Sequence, residues 1–291
     1  HSSRSATLMN STSLVTVDGK MTEAHRLELE TAVNLLENPH FAARLAEYAG
    51  QPVNAIVDYL PSGFNRRLRG SVRSAIFRCL EIAIESLDEE VESNGPDWLS
   101  KVMIGMAGGV GGFFGMIALP IELPLTTALM LRSIAEIARA EGEDLSKMET
   151  RLACLEVFAL GVRGPKDKLN IDYYATRLVL TRLTADVAAL VSERGAVSAS
   201  TPIIAKLVGE IVGRFGLVVS DMSAASVVPF LGALGGATLN VIFADHFHRV
   251  AHGHFTVRRL ERIYGAEAIR ARYRHSTRAL APSRRPRKLA V

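Results

Sequence analysis

Residues Phe64–Leu87 read FNRRLRGSVRSAIFRCLEIAIESL. In this stretch Leu68, Val72, Ile76, Cys79, Leu80, Ala83 and Leu87 recur three and four residues apart, the spacing that lines up side chains on one face of an α-helix. Around them stand Arg66, Arg67, Arg69, Arg73 and Arg78, followed by Glu81 and Glu85. The segment therefore predicts a helix with one apolar stripe, and a stripe of that length is buried only if further helices cover it.

The same period extends in both directions. Upstream, Thr22 is a candidate N-cap for a helix ending at Asn38 before Pro39, with Leu29, Val33 and Leu36 on its inner face. Short helices are expected at Phe41–Ala49 and Pro52–Leu60, closed by Gly50 and Pro61. Downstream, the pattern predicts helices at Thr126–Ala140, Ser146–Leu160, Asp172–Arg194, Pro202–Ser220, Ser223–Ala244 with a kink at Pro229, Phe255–Tyr264 and Ala266–Ala279. Pro120 and Pro124 are expected to break or kink the chain ahead of Thr126. Strand-like alternation is missing, so the expected fold class is all-α, a single multi-helix bundle. Residues 1–20 read as a flexible N-terminus, 21–265 as the helical domain and 266–291 as a basic C-terminal helix and tail.

Two segments stand apart. Val102–Ile121 is a run of twenty uncharged residues and Met222–Ala244 one of twenty-three, each about the length that spans a bilayer as a helix. Gly105/Gly109, Gly108/Gly112 and Gly111/Gly115 are four apart, as are Gly232/Gly236 and Gly209/Gly213. Such spacing strips one helix face of side chains and lets another backbone come close. An interior glycine costs about 0.8–1 kcal/mol relative to alanine, so something must compensate. Three readings are open: central helices packed tightly in the bundle, helices that enter a bilayer, or a pair lining a pocket for an acyl chain. Gly105, Gly108, Gly109, Gly112, Phe113, Gly115, Gly232 and Gly236 are the candidate ligand or lipid contacts, and these helices are expected to be central to the bundle.

Charge is distributed unevenly. The net charge is +4, yet residues 265–291 hold eight Lys/Arg against the single acid Glu267, leaving the rest mildly acidic. That argues against a nucleic-acid face built into the fold and suits contact with anionic lipid, or, over residues 280–291 where Pro282 and Pro286 interrupt any helix, a solvated disordered end. With 48% hydrophobic residues and a mean hydropathy of +0.17, the chain is oilier than most soluble proteins but unlike a multi-span transporter. Cys79 and Cys154 have no ligand-type spacing and read as buried reduced thiols, which with no signal-peptide pattern in the first thirty residues leads to a cytoplasmic expectation.

Few polar residues suggest chemistry. Glu122, between Pro120 and Pro124, reads either as a carboxylate at a helix start or as a catalytic or ligand-binding acid. Arg132 and Glu136 are spaced for an intrahelical ion pair, and Glu141, Glu143 and Asp144 look like a solvated helix end. The cluster His246, His248, His252 and His254 offers a metal reading, with His248 and His252 one turn apart. It lacks the glutamate of a His-Glu-x-x-His hydrolase, and Gly253 is expected to interrupt the helix there. His254 then reads as a helix start whose following charges, including Arg258, pair across the bundle. No nucleotide or other cofactor motif is found and no cofactor is expected.

The string ALPIELPLTTALMLRSIAEIAR from Ala118, EGEDL from Glu141, TRLACLEVFALG ending at Gly161 and GHFTVRRLERIYG over Gly253–Gly265 together resemble the EcsC family of bacterial proteins across most of residues 60–265. The resemblance implies a bacterial intracellular protein. The family is named for a gene beside an ABC-transporter pair, so it also implies a membrane or transporter context. It brings no set of catalytic residues; Glu122, Arg132, His254 and Arg258 are polar members of its motifs in this sequence. The leading expectation is a peripherally membrane-associated protein that binds membrane lipid or an acyl-chain ligand. The alternatives are a hydrolase using Glu122 or the histidine cluster, and a structural adaptor for a transporter.

Overall fold

The structure, a computed structural model, describes residues 21–37, 64–85, 115–160, 173–194, 201–225 and 235–280. They form eight α-helices: α1 Glu23–Glu37, α2 Phe64–Glu85, α3 Gly115–Ala140, α4 Met148–Glu156, α5 Tyr173–Arg194, α6 Pro202–Ala225, α7 Gly235–Tyr264 and α8 Ala266–Leu280. A 3-10 turn, Val157–Ala159, extends α4. There is no strand among the described residues. The all-α bundle is as the periodicity predicts.

Two helices organise the packing. The stripe of α2 is buried at Val72, Ile76, Cys79, Leu80 and Ala83 and lies against α3, α4 and α6. Helix α7 packs on α1, α3, the 3-10 turn and α8. Between them Phe158, Phe215, Phe243 and Phe247 form an aromatic centre with ring centroids 4.9–6.0 Å apart, mostly in tilted or edge-on arrangements that suit ring quadrupoles. Arg151 ties α4 to the end of α2, donating from Nη1 to the Ala83 carbonyl at 3.1 Å and from Nε to that of Leu145 at 2.7 Å. Cys79 and Cys154 are free and buried, and burial pushes the Cys79 thiol up to about 12. Thr22 caps α1 as anticipated, its Oγ1 accepting from the His25 amide at 3.2 Å.

Three expectations are corrected. First, α3 is one continuous helix through Pro120 and Pro124, so neither proline breaks it. Each proline removes one intrahelical bond, to the carbonyls of Met116 and Pro120, but its fixed φ is helical, and the far half of α3 is held by α2 and α7. Glu122 therefore lies in the third turn of a helix and not at its start. Second, α7 is one thirty-residue helix in which Gly253 is interior. A Cβ built at Gly253 would meet Leu36 Cγ at 2.7 Å and the Ala32 carbonyl oxygen at 3.1 Å; this glycine serves the close approach of α1 and does not end a helix. Third, Gly209 and Gly213 are exposed, with nothing within 4 Å of a Cβ at either, so that pair mediates no close helix contact among the described residues.

The expected helices Phe41–Ala49 and Pro52–Leu60, the kink at Pro229, and Gly105, Gly108, Gly109, Gly112, Phe113 and Gly232 lie outside the described residues. Gly115 opens α3 and Gly236 is in the first turn of α7. Among the described residues no helix is long and apolar enough to cross a membrane.

The two kinds of glycine respond oppositely to a methyl group. Gly253→Ala forces α1 away and should lower stability by about 1–3 kcal/mol. Gly209→Ala gains helix propensity with no clash and should raise it by about 0.5–1 kcal/mol. Equilibrium urea unfolding of both variants checks this; a Gly253→Ala protein as stable as the parent would remove the close-approach argument.

Candidate functional site: a buried charge network and a basic helix

A glycine turn builds the first half of the network. Gly142 ends α3 with φ +76°, a left-handed conformation that favours glycine. Its amide bonds to the Arg139 carbonyl at 2.9 Å and that of Glu143 to the Ala138 carbonyl at 3.0 Å, the paired bonds of a Schellman cap. This turn brings Glu143 against α7. Arg258 grips its carboxylate with two bonds, Nε–Oε1 2.8 Å and Nη2–Oε2 2.9 Å, and Arg262 adds a third through Nη1. Burial alone would raise the Glu143 pKa, but Arg258 and Arg262 more than offset it and hold the acid below the usual carboxylate range. Alongside, Arg259 joins Glu141 at 2.6 Å and Glu28 of α1 at 2.8 Å. Glu141 and Glu143 are thus fixed partners across the bundle, not a solvated helix end, while the charges after His254 pair as their sequence suggests.

The second half lies where α5 and α8 meet α7. Arg177 binds Glu261 in a bidentate pair at 2.9 and 2.7 Å, with both side chains under 15% exposed, and Tyr174 donates to the same carboxylate at 2.9 Å. Tyr173 stacks on Tyr273 with centroids 5.4 Å apart, and Tyr174 meets Tyr273 edge-on at 4.9 Å. Tyr273 donates to Glu37 of α1 at 2.8 Å, so α1, α5, α7 and α8 share one polar centre. Burial works against the Arg177 charge, yet Tyr173 and Glu261 keep its pKa above the ordinary value.

His254 and Glu156 are among the groups with a buried polar atom that has no hydrogen-bond partner. His254 meets the Tyr173 hydroxyl at 2.9 Å through Nδ1, while Nε2 has no partner. Burial, with Arg177 and Arg258 nearby, pushes its pKa well below the usual range, so the ring is neutral. Glu156 accepts from Thr184 Oγ1 at 2.9 Å, its Oε2 is unpartnered, and burial pushes its pKa up to about 7.

The remaining sequence candidates do not converge here. Arg132 and Glu136 form the anticipated pair at 3.2 Å, with both side chains more than half exposed. The Glu122 side chain lies outside the described residues. At 100° per residue the histidines divide between two sides of α7. His248 bonds to Ser133 Oγ at 2.7 Å and His252 is exposed, whereas His246 and His254 are buried. Among the described residues no three His, Cys, Asp or Glu side chains are grouped to hold a metal ion. Above the network an open cleft of about 570 Å³ is lined by the acids Glu143, Asp144, Glu149 and Glu261 and the cations Lys147, Arg177, Arg258 and Arg262, a balanced set of charges that favours neither ion sign.

Helix α8 differs from this balanced interior. It docks through Ile269 and Tyr273, both buried, and exposes Arg272, Arg274, His275 and Arg278. None of these three arginines makes an ion pair among the described residues.

Sequence reasoning missed Tyr173, Tyr174, Arg177, Tyr273 and Glu156. Only Glu156 carries a local signal, as the one acid in LACLEVFAL, Leu152–Leu160. Together these features define an all-helical bundle with a self-neutralised buried centre and a cationic helix on its outside. Residues 32–260 match the EcsC protein family, and the chain belongs to that family. The match takes in Glu143, Arg177, His254 and Arg258 and ends before α8. No curated protein and no solved structure matches the chain.

Two measurements probe the network. Arg258→Ala removes the two-bond partner of the buried Glu143 carboxylate, leaving it Arg262, and should cost about 1.5–3 kcal/mol, against less than about 0.5 kcal/mol for Arg132→Ala in its exposed pair; similar costs by urea unfolding would show that the network is not a buried one. Glu156 holds its proton more tightly folded than unfolded, so the stability it contributes is complete below pH 4.5 and is lost as pH rises to about 7. Glu156→Gln keeps the acceptor for Thr184 and abolishes the titration. The variant should match the parent near pH 4.5 and exceed it above pH 7 by up to about 3 kcal/mol; parallel stability–pH curves would refute a raised pKa.

Proposed function

We propose that this protein works at a membrane surface, associating peripherally with anionic lipid through α8 and the basic residues that follow it, and that it does so without turnover. The observation that carries this reading is the set of exposed arginines, Arg274 and Arg278 on one face of α8 and Arg272 on another beside α1, on a helix anchored to the bundle by Ile269 and Tyr273. Cations left unpaired on a rigid helix need no rearrangement before meeting anionic headgroups. Arg284, Arg285, Arg287 and Lys288 continue the charge along the sequence. The uncharged sequences Val102–Ile121 and Met222–Ala244 are the candidates to add to such an association, by shallow insertion or by taking up an acyl chain. Peripheral attachment fits the lack, among the described residues, of a spanning helix. The cytoplasmic face of a bacterial membrane, which is anionic, is the proposed location.

Flotation with vesicles of phosphatidylglycerol and phosphatidylcholine tests the reading. Binding should require the anionic lipid, weaken steeply between 50 and 500 mM salt, and fall about 100-fold in the triple variant Arg272→Gln/Arg274→Gln/Arg278→Gln, since each basic residue near the surface contributes about 1 kcal/mol. Equal binding to neutral vesicles, or none to either, would overturn it.

A further inference from the structure

From the groove between α1 and α8 we infer a binding site for a single anionic phospholipid drawn from the bilayer, a conclusion that rests on the membrane reading above. The two helices lie side by side and enclose a cavity of about 790 Å³, within the size range of small-molecule sites. Its α1 wall is built from Arg26, Leu29, Glu30 and Asn34, its α8 wall from Ala271, Arg272, His275 and Ser276. Those positions are spaced at one helical turn on both helices, so each contributes a continuous ridge.

The chemistry of the walls is that of an amphiphile. Ala271, which is exposed, and the methylenes of Arg26 and Arg272 provide apolar surface for the glycerol backbone and the first methylenes, over a floor formed by the almost wholly buried Leu29. The acid in the wall is already paired: Arg26 binds Glu30 at 2.9 Å, though it shares its charge with Glu23. On the other wall Arg272 has no such partner among the described residues, and it stands with His275 one turn along and the hydroxyl of Ser276 beside it. A phosphodiester placed between Arg272 and His275 satisfies a charge that α1 leaves uncompensated. The outward arginines Arg274 and Arg278 lie on a different part of the helix surface and do not line the cavity. The helix thus separates two tasks: Arg274 and Arg278 face the bilayer electrostatically, while Arg272 and His275 hold one headgroup.

The test titrates the full chain with dihexanoylphosphatidylglycerol below its micelle concentration, and separately with inorganic phosphate, by calorimetry. Saturable 1:1 binding is expected for the short-chain lipid. It should weaken at least tenfold in Ala271→Trp, which fills the cavity from an exposed position, and in Arg272→Gln/His275→Gln, but stay within twofold in Arg274→Gln/Arg278→Gln. Anionic-vesicle flotation should show the reverse for Ala271→Trp and for Arg274→Gln/Arg278→Gln. Ser276→Phe, on the same wall, serves if circular dichroism shows that Ala271→Trp has lost helix. Absence of saturable lipid binding, or binding unmoved by both cavity-filling variants, overturns the inference while intact flotation leaves the membrane reading standing. Inorganic phosphate binding as tightly as the lipid overturns it too, since the apolar wall would then contribute nothing.

Discussion

A carboxylate taken out of water must be met by cations in fixed positions, and Glu143 is where this protein accepts that constraint. Its side chain is only 4% exposed, so Arg258 and Arg262 have to reach it from the last turns of α7. That requirement sets the register of α7 against the α3–α4 turn, and through Gly142 it sets the direction in which the chain leaves α3. Once α7 is fixed in this way, Arg259 lies on Glu28 and Glu141, and Glu261 lies on Arg177. The apolar contacts of the bundle are numerous but indifferent to small slips; the bidentate pairs are not. The network therefore specifies one arrangement of α1, α5 and α7 among the several that the same apolar faces would tolerate.

This explains what was legible in the sequence and what was not. The stripe of α2, the Thr22 cap and the positions of α5 and α8 follow from local periodicity and capping, which act within a few turns. The pairing of Arg258, Arg259 and Glu261 across the bundle was visible as a run of charges too dense for an ordinary buried face. Their partners were not, because Glu141 and Glu143 after a helix-ending glycine look the same whether water or arginine meets them. Gly253 was misleading for the same reason. A glycine between histidines reads as a break when its neighbours in sequence are all one knows, and as a contact point once Leu36 and Ala32 are seen to occupy the missing side chain's place. Pro120 and Pro124 likewise suggest an interruption, whereas two lost bonds in a 26-residue helix are small beside the packing on its other half.

The candidate site was harder to read than the fold because it is assembled from distant segments. Tyr173 and Tyr174 open α5, Tyr273 comes from α8 and Glu37 from the end of α1; no spacing rule connects them. The four histidines, by contrast, are adjacent in sequence and therefore conspicuous, but helical geometry directs them to opposite sides of α7. Proximity along a helix favours convergence only at three or four residues, and of the buried pair, His246 and His254 are separated by two turns.

Electrostatics also divides the molecule into an interior that is satisfied and a surface that is not. Every arginine of the buried network has a carboxylate within 3 Å, so an anion arriving from solution would have to displace an existing partner and leave a buried acid uncompensated, at a cost of several kcal/mol. On α8 the opposite holds for Arg272, Arg274 and Arg278, which are exposed and make no ion pair among the described residues, so a phosphate displaces only solvent and counterions. Anionic ligands are therefore directed to the outer helix by the same charge accounting that stabilises the core. Among the described residues, α8 combines such a cation with an apolar wall in the groove it shares with α1, where Arg272 and Ala271 line one cavity with Leu29.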